Sequence, residues 1–261
     1  MLRMLVERLR RGAHTLPFPG RAPEFPERYR GRPVFDAARC SEGCRSCAER
    51  APTPFITVGA DRAAALDLGA CLFSPEEAAA CPAGAIAYTT DHRMASGSRA
   101  GLVTPSGEVE LARSLERASR RLFGRSLRLR SVVAGSCGGC EVELNALGNV
   151  VFDMARFGIQ FVASPRHADG IVITGTVNPA MRLALEKTYQ ALPDPRLVIA
   201  VGACAIAGGP FRGSPEAGAG VPDGLPVDLY VPGCPPHSLT VLDGLLRLLG
   251  RIEEGRRPPG R

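Results

Sequence analysis

The second half of the chain alternates short apolar runs with longer stretches of helical periodicity. The apolar runs predict five buried strands, and the stretches between them predict helices near residues 141–157, 178–191 and 236–250. The predicted strands are Leu127–Ala134, Gln160–Ala163, Gly170–Thr174, Leu197–Val201 and Val227–Val231. Because strands that alternate with helices favour a parallel sheet covered by helices, residues 127–250 are expected to form an α/β domain.

The first half is less regular and divides into an arm, a compact module and a connector. Residues 1–33 begin with leucines at helical spacing on a basic background, and five prolines then imply an extended strap. Residues 34–90 hold five of the nine cysteines. Residues 91–126 form a connector with a predicted basic helix at Glu108–Phe123, and residues 251–261 form a basic tail.

Composition and charge narrow the function classes. The 261 residues carry a net charge of +6, concentrated in the arm and around residues 113–130, without an aromatic-rich basic platform, so nucleic acid is not expected as a partner. No secretory h-region and no apolar run of membrane-spanning length is present, which predicts a cytoplasmic protein. In that reducing compartment, clustered thiols are typical of metal or redox centres rather than disulfides.

Four of the cysteines follow predicted strands closely. Cys137 and Cys140 follow the first strand, Cys204 follows the fourth and Cys234 the fifth. The carboxyl ends of parallel strands share one edge of a sheet, so the four thiols are expected to converge there. Four thiolates suit either an iron–sulfur cluster or a zinc ion.

The residues around these thiols favour the cluster. Glycines flank every one of the four cysteines, which lets backbone N–H groups approach sulfur and leaves room for a cuboidal [4Fe–4S] unit. A structural zinc site normally takes its ligands as two close pairs, whereas here only Cys137 and Cys140 form one. A zinc-filled structural module without electron transfer remains the alternative from another class.

Several motifs in this half resemble the cluster-bearing small subunit shared by [NiFe] hydrogenases and respiratory complex I. They are GSCGGCEVEL, RFGIQFVASPRHADGIVITGTV, VIAVGACAIAGG and VDLYVPGCPPH. The resemblance implies a flavodoxin-like doubly wound sheet whose cysteines hold the last [4Fe–4S] cluster of an electron relay, beside a catalytic large subunit. Two glycines between the first cysteines resemble the hydrogenase branch, since complex I members have adjacent cysteines. Without a Tat signal or a further cluster-bearing extension, the chain resembles the energy-converting, formate hydrogenlyase type at the cytoplasmic face of the membrane.

The cysteine module resembles a two-cluster ferredoxin in which one site is degenerate, and this implies a small α+β ferredoxin-like domain fused to the small-subunit domain. In such ferredoxins the last cysteine of each run crosses to the other cluster. That rule assigns Cys40, Cys44, Cys47 and Cys81 to one [4Fe–4S] cluster, giving two clusters in the chain. The other site retains only Cys71, because Ser74, Glu77 and Ala51 stand where cysteines belong, and Cys71 is interpreted as a small buried apolar residue.

A few other residues are candidates for supporting roles. Glu143 matches an acidic position suspected in the family of handling protons, although a carboxylate at a helix start is also favoured without any function. Arg166 and His167 follow a predicted strand end and are candidates for tuning the cluster from outside its ligand set. His237 is expected to be an exposed residue at the start of the last helix.

These observations predict an electron-transfer subunit of a membrane-associated [NiFe] hydrogenase complex, with no catalytic residue of its own. The expected partners are the large subunit, membrane-domain subunits and an upstream electron-transfer protein. A complex I-like or hydrogenase-related oxidoreductase without hydrogen chemistry is the alternative within redox chemistry. The basic arm is expected against membrane-domain subunits or anionic headgroups, or in ordinary packing.

Overall fold

A computed structural model describes residues 2–59, 64–105, 107–115, 122–123 and 126–252. It begins with helix α1, Leu2–Arg11, as the leucine spacing predicts. Residues 12–32 then contain no helix or strand and run over the larger domain as a strap. The strap is attached by backbone bonds, of which Leu16 N to Val151 O at 2.8 Å is one.

The cysteine module consists of short strands and short helices. Its elements are β1 Pro33–Phe35, α2 Ser46–Arg50, β2 Ile56–Val58, β3 Ala64–Asp67, α3 Glu76–Ala79 and β4 Ile86–Tyr88. Strands β1 and β4 form an antiparallel pair, and β2, β3 and β5 Val103–Thr104 form a second antiparallel sheet. This is an α+β arrangement, and its ferredoxin-like identity stays a prediction.

The predicted basic helix Glu108–Phe123 is wrong over residues 108–115, which have no regular structure, and most of its remainder lies outside the described residues. The backbone of this segment bonds to distant segments instead of to itself. Ala112 N donates to Ala95 O at 2.8 Å and Leu115 N to Leu248 O at 2.9 Å. Ala112 and Leu115 also pack on the main core, so contacts with distant segments rather than helical hydrogen bonds hold this irregular segment.

The larger domain is a five-stranded parallel sheet with helices on both faces. Its elements are β6 Leu127–Val133, α4 Gly139–Ala146, β7 Ile159–Phe161, β8 Gly170–Thr174, α5 Pro179–Gln190, β9 Leu197–Val201, α6 Ala203–Ala207, β10 Leu229–Val231 and α7 Ser238–Leu248. The strand order β10-β9-β8-β6-β7 is consistent with a flavodoxin-like fold. The α/β prediction is therefore confirmed.

Two cores lie on the two faces of this sheet, and a third joins it to the cysteine module. One face packs on α4 and α7, and every residue of α7 is buried. The other face packs on α5 through Leu185. The third core combines Phe55, Leu66 and Leu102 of the first half with Ala205 and Ile206 of α6. The cysteine module is thus packed directly against the end of β9.

Candidate metal centres

The fold brings four cysteines to the carboxyl edge of the parallel sheet. Cys137 and Cys140 follow β6 and lie at the start of α4, Cys204 lies in α6 after β9, and Cys234 follows β10. Cys137 and Cys234 are exposed, whereas Cys140 and Cys204 are partly buried. The set therefore has an inner half and a half that faces solvent.

The four thiols lie close enough for their charges to affect one another. The pKa of Cys140 is raised to about 12, mainly by burial and then, in decreasing order, by Glu141, Cys204, Cys234 and Cys137. Burial likewise raises the pKa of Cys204 to about 11, followed by the effects of Cys234 and Cys137. A bound metal deprotonates coordinating thiols outright, so a cationic metal centre would stabilise these four cysteines as thiolates.

Glycines keep open the space beside these sulfurs. A Cβ on Gly202, whose φ is +90°, would lie 2.6 Å from Cys140 Sγ, and one on Gly209 would lie 2.7 Å from Cys204 Sγ. The loop of Cys234 is equally constrained, because a Cβ on Gly233 would lie 2.2 Å from Pro236 Cα. Side chains are thus excluded around the thiols, which fits a bulky inorganic group and backbone N–H donors.

The described residues hold no compact ligand group for one metal ion. Among residues 2–59, 64–105, 107–115 and the described part of 122–252, no three His, Cys, Asp or Glu side chains form a group that could hold one ion. A cluster differs in that each cysteine binds its own iron, so its ligands stand farther apart than those of one zinc.

The two acids that follow Cys140 are both tied to other parts of the fold. Glu141 Oε1 accepts a short hydrogen bond from Thr174 Oγ1 at the end of β8, while Glu141 Oε2 is buried with no partner among the described residues. Glu143 Oε2 accepts from Ser238 N at 2.8 Å and from Ser238 Oγ at 2.6 Å. Glu143 therefore caps the N-terminus of α7, a structural role that the sequence did not indicate.

The remaining candidates are placed differently from one another. Arg166 and His167 lie in a 3₁₀ turn after β7, and no hydrogen bond or ion pair joins either side chain to a cysteine among the described residues. His237 was expected to be exposed, and this is wrong. Its ring centroid lies 5.3 Å from that of Phe25 and 5.5 Å from that of Tyr29, because the strap covers the start of α7.

The N-terminal cysteines also gather, although less completely. Cys40 and Cys47 are buried, and Cys81 packs on the same core. Burial raises the pKa of Cys47, and Cys81 and then Cys40 add to the rise, so these three thiols are neighbours. The thiol of Cys44 lies 3.5 Å from Ser46 Oγ, and hydrogen bonds from Ser46 lower its pKa.

The degenerate second run forms a closed hydrogen-bond network. The carboxylate of Glu77 is 1% exposed and accepts from Ser74 Oγ at 2.6 Å and, through a short bond, from Tyr88 Oη. Tyr88 Oη also lies 3.7 Å from the sulfur of Cys71, which accepts from Phe73 N at 3.3 Å. Cys71 is fully buried, and burial raises its pKa to about 12. The polar groups of this second run therefore bond to one another.

Glu77 is expected to stabilise the cysteine module through this network. Glu77→Ala leaves the Tyr88 and Ser74 hydroxyls without their acceptor inside the core, at a cost of about 2–3 kcal/mol. We expect a fall in melting temperature of about 5–10 °C, measured by differential scanning calorimetry. The exposed carboxylate of Glu49, on α2 of the same module, supplies the matched control Glu49→Ala. Equal melting temperatures for the two variants would contradict the structural role of the network.

A cavity of about 450 Å³ lies between the two cysteine regions. Its lining includes Phe73 and Ser74 of the degenerate run, Tyr29 of the strap, and Glu143 and Cys234 of the sheet edge. The loop that follows Cys71 is therefore a neighbour of the loop that carries Cys234. The cavity thus links the module to the edge of the sheet.

Comparison with known proteins identifies the family. The model of the family described as NADH ubiquinone oxidoreductase, 20 Kd subunit, matches residues 137–248. The chain is 39% identical over 142 residues to probable membrane-bound hydrogenase subunit mbhJ of Pyrococcus furiosus, which covers 53% of this chain and 85% of that protein. The chain belongs to this 20 Kd subunit family. All four sheet-edge cysteines lie within the matched residues.

Two further relatives represent both kinds of complex. Formate hydrogenlyase subunit 7 of Escherichia coli is 38% identical over 154 residues, which are 59% of this chain and 60% of the relative. An NADH-quinone oxidoreductase subunit of Heliobacterium modesticaldum is 47% identical over 115 residues, which are 44% of this chain and 66% of the relative. The chain thus spans less than two thirds of the length of these two relatives, and the family match does not include the N-terminal module.

Proposed function

We propose that this chain is an electron-transfer subunit of a membrane-associated [NiFe] hydrogenase complex. The single observation that carries the proposal is the convergence of Cys137, Cys140, Cys204 and Cys234 at one glycine-lined sheet edge within the 20 Kd subunit family match. The hydrogenase names of two relatives support the choice of complex. Hydrogen chemistry itself belongs to the partner large subunit.

Two [4Fe–4S] clusters, when bound, would supply the one-electron chemistry of the relay. The sheet-edge cysteines would hold the proximal cluster, with Cys137 and Cys234 on its solvent side. Cys40, Cys44, Cys47 and Cys81 would hold the N-terminal cluster in a ferredoxin-like module, with the Cys71 network packed beside it. Gly202 and Gly209 keep side chains away from the sulfurs of Cys140 and Cys204, which leaves room for a cluster and for backbone N–H donors.

Other parts of the chain are assigned supporting roles in this proposal. Glu143 holds the start of α7 beside Cys234, and its proton-handling role stays a prediction. Arg166 and His167 stand after β7 and remain candidates for tuning the proximal cluster from outside its ligand set. An upstream electron-transfer protein would dock at the N-terminal module, and membrane-domain subunits would bind the complex at the cytoplasmic face.

A complex I-like oxidoreductase without hydrogen chemistry is the second candidate. The observation that favours it is the 47% identity to the NADH-quinone oxidoreductase subunit of Heliobacterium modesticaldum. The two glycines between Cys137 and Cys140 favour the hydrogenase branch instead. The two candidates make the same prediction for this chain's cysteines and differ only in the partner.

Hydrogen-dependent dye reduction separates these candidates. We expect the complex isolated anaerobically through a tag on this chain to contain nickel and to reduce viologen with hydrogen. A mock purification from cells in which the chain carries no tag provides the background. An iron-containing complex without nickel or hydrogen-dependent reduction would refute the hydrogenase assignment and favour the complex I-like one.

A further inference from the structure

Helix α1 has an apolar face on which Val6 and Leu9 are exposed. On a helix of 3.6 residues per turn, Leu2, Leu5, Val6 and Leu9 fall within one arc of about 100°. The side chain of Leu9 is 82% exposed and that of Val6 is 43% exposed. Exposed aliphatic side chains on one face of a helix indicate a surface that is buried elsewhere.

The rest of the helix surface is basic. Leu2–Arg11 contains four arginines and a single acid, Glu7, whose carboxylate is paired with Arg11 at 3.1 Å. Arg8 and Arg10 flank the apolar arc on its two sides, since they lie about 100° from its centre in opposite directions. Cations on both sides of an apolar strip are the arrangement that complements a layer of phosphates lying above hydrocarbon.

The attachment of the arm places more exposed apolar surface beside it. Thr15 Oγ1 donates to Val150 O at 2.8 Å, which fixes the strap a few residues after α1 ends. Val150 is 65% exposed and the adjacent Val151 is 37% exposed. Arg156 anchors the same region by donating to Leu16 O at 2.8 Å. The strap therefore begins beside exposed valines, close in the chain to the end of α1.

We propose that α1 lies in the surface of a bilayer that contains anionic lipid, with its apolar arc among the upper acyl chains and its arginines against phosphate. Its ten residues span about 15 Å, half of the hydrocarbon thickness, so it lies on a membrane rather than crossing one. None of the described helices is long and apolar enough to cross a bilayer. Net charge favours lipid over an apolar protein groove, because each arginine gains from a negative surface.

This proposal is separate from the proposed electron transfer, since vesicle binding requires no partner subunit. The test is co-sedimentation of the full chain with vesicles of phosphatidylcholine alone or with phosphatidylglycerol added. We expect at least roughly tenfold stronger binding to the anionic vesicles and weakening at high salt. Leu9→Glu lowers that binding at least roughly tenfold, and Arg8→Gln with Arg10→Gln lowers it about 20-fold.

Leu183→Glu is the matched control, because Leu183 is a 63% exposed leucine on α5 of the larger domain. This variant is expected to bind vesicles as the unchanged chain does. Equal binding to neutral and anionic vesicles, equal binding of Leu9→Glu, or an equal loss in Leu183→Glu would overturn the proposal. Absent vesicle binding together with release of Leu9→Glu from its native complex would assign the strip to a protein groove instead. Iron content, measured on the same samples, keeps loss of a cluster distinguishable from loss of membrane binding.

Discussion

Cys140→Ala is expected to remove the proximal cluster and to abolish electron transfer through the chain. Cys140 is a partly buried thiol whose pKa is raised by each of the other three sheet-edge cysteines. Losing one of four thiolates from a cluster that cannot recruit another leaves an iron without a protein ligand. We expect iron to fall from about eight to about four atoms per chain, and hydrogen-dependent dye reduction by the complex to fall to background.

Cys71→Ala is the matched control for this experiment. Cys71 is also a buried cysteine with a pKa raised by burial to about 12, but it sits in the closed network with Tyr88 rather than among thiols. This variant is expected to keep about eight iron atoms per chain, as the unchanged chain does. Full iron in Cys140→Ala, or an equal iron loss in both variants, would show that the sheet-edge assignment is wrong.

Cys81→Ala is expected to remove the N-terminal cluster and to leave the proximal one. Cys81 comes from the second run of cysteines, yet it raises the pKa of Cys47 and packs on the core that buries Cys40. The sharing of one cysteine between runs is what the ferredoxin rule requires. Electron paramagnetic resonance of the reduced complex should lose one of two [4Fe–4S] signals, and the signal lost in Cys140→Ala should remain.

The combination of the two variants makes this prediction sharper. If the sites are independent, Cys81→Ala with Cys140→Ala removes both signals and nearly all of the iron. Retention of both signals in Cys81→Ala would refute the crossing assignment. Loss of both signals in the single variant would show that the module and the sheet edge do not hold separate clusters.

The fully buried strands could be predicted from the sequence to the residue. Gly170–Thr174 and Leu197–Val201 are observed with their predicted bounds, because all of their residues are buried and the apolar run ends where the strand ends. The strand predicted from Val227 begins later, at Leu229. Residues 108–115 were predicted as helix but form an irregular segment. Its apolar side chains pack against distant parts of the fold, and such packing leaves no periodic pattern in the sequence.

Contacts between residues far apart in the chain could not be predicted. The Glu143–Ser238 bonds join positions 95 residues apart, and nothing local to either residue indicates the other. Tyr88 closes the Glu77 network from a separate strand, and Phe25 of the strap packs on His237. The gathering of the sheet-edge cysteines was predictable because the carboxyl ends of parallel strands lie at one edge of the sheet. That prediction needs only the strand topology and no knowledge of individual side-chain contacts.

Iron, acid-labile sulfide and zinc in the anaerobically purified chain test the central claim most directly. Two [4Fe–4S] clusters predict about eight iron and about eight sulfide per chain with negligible zinc. Zinc in place of iron, without sulfide, would contradict the account, because the chain would then be a structural module that carries no electrons.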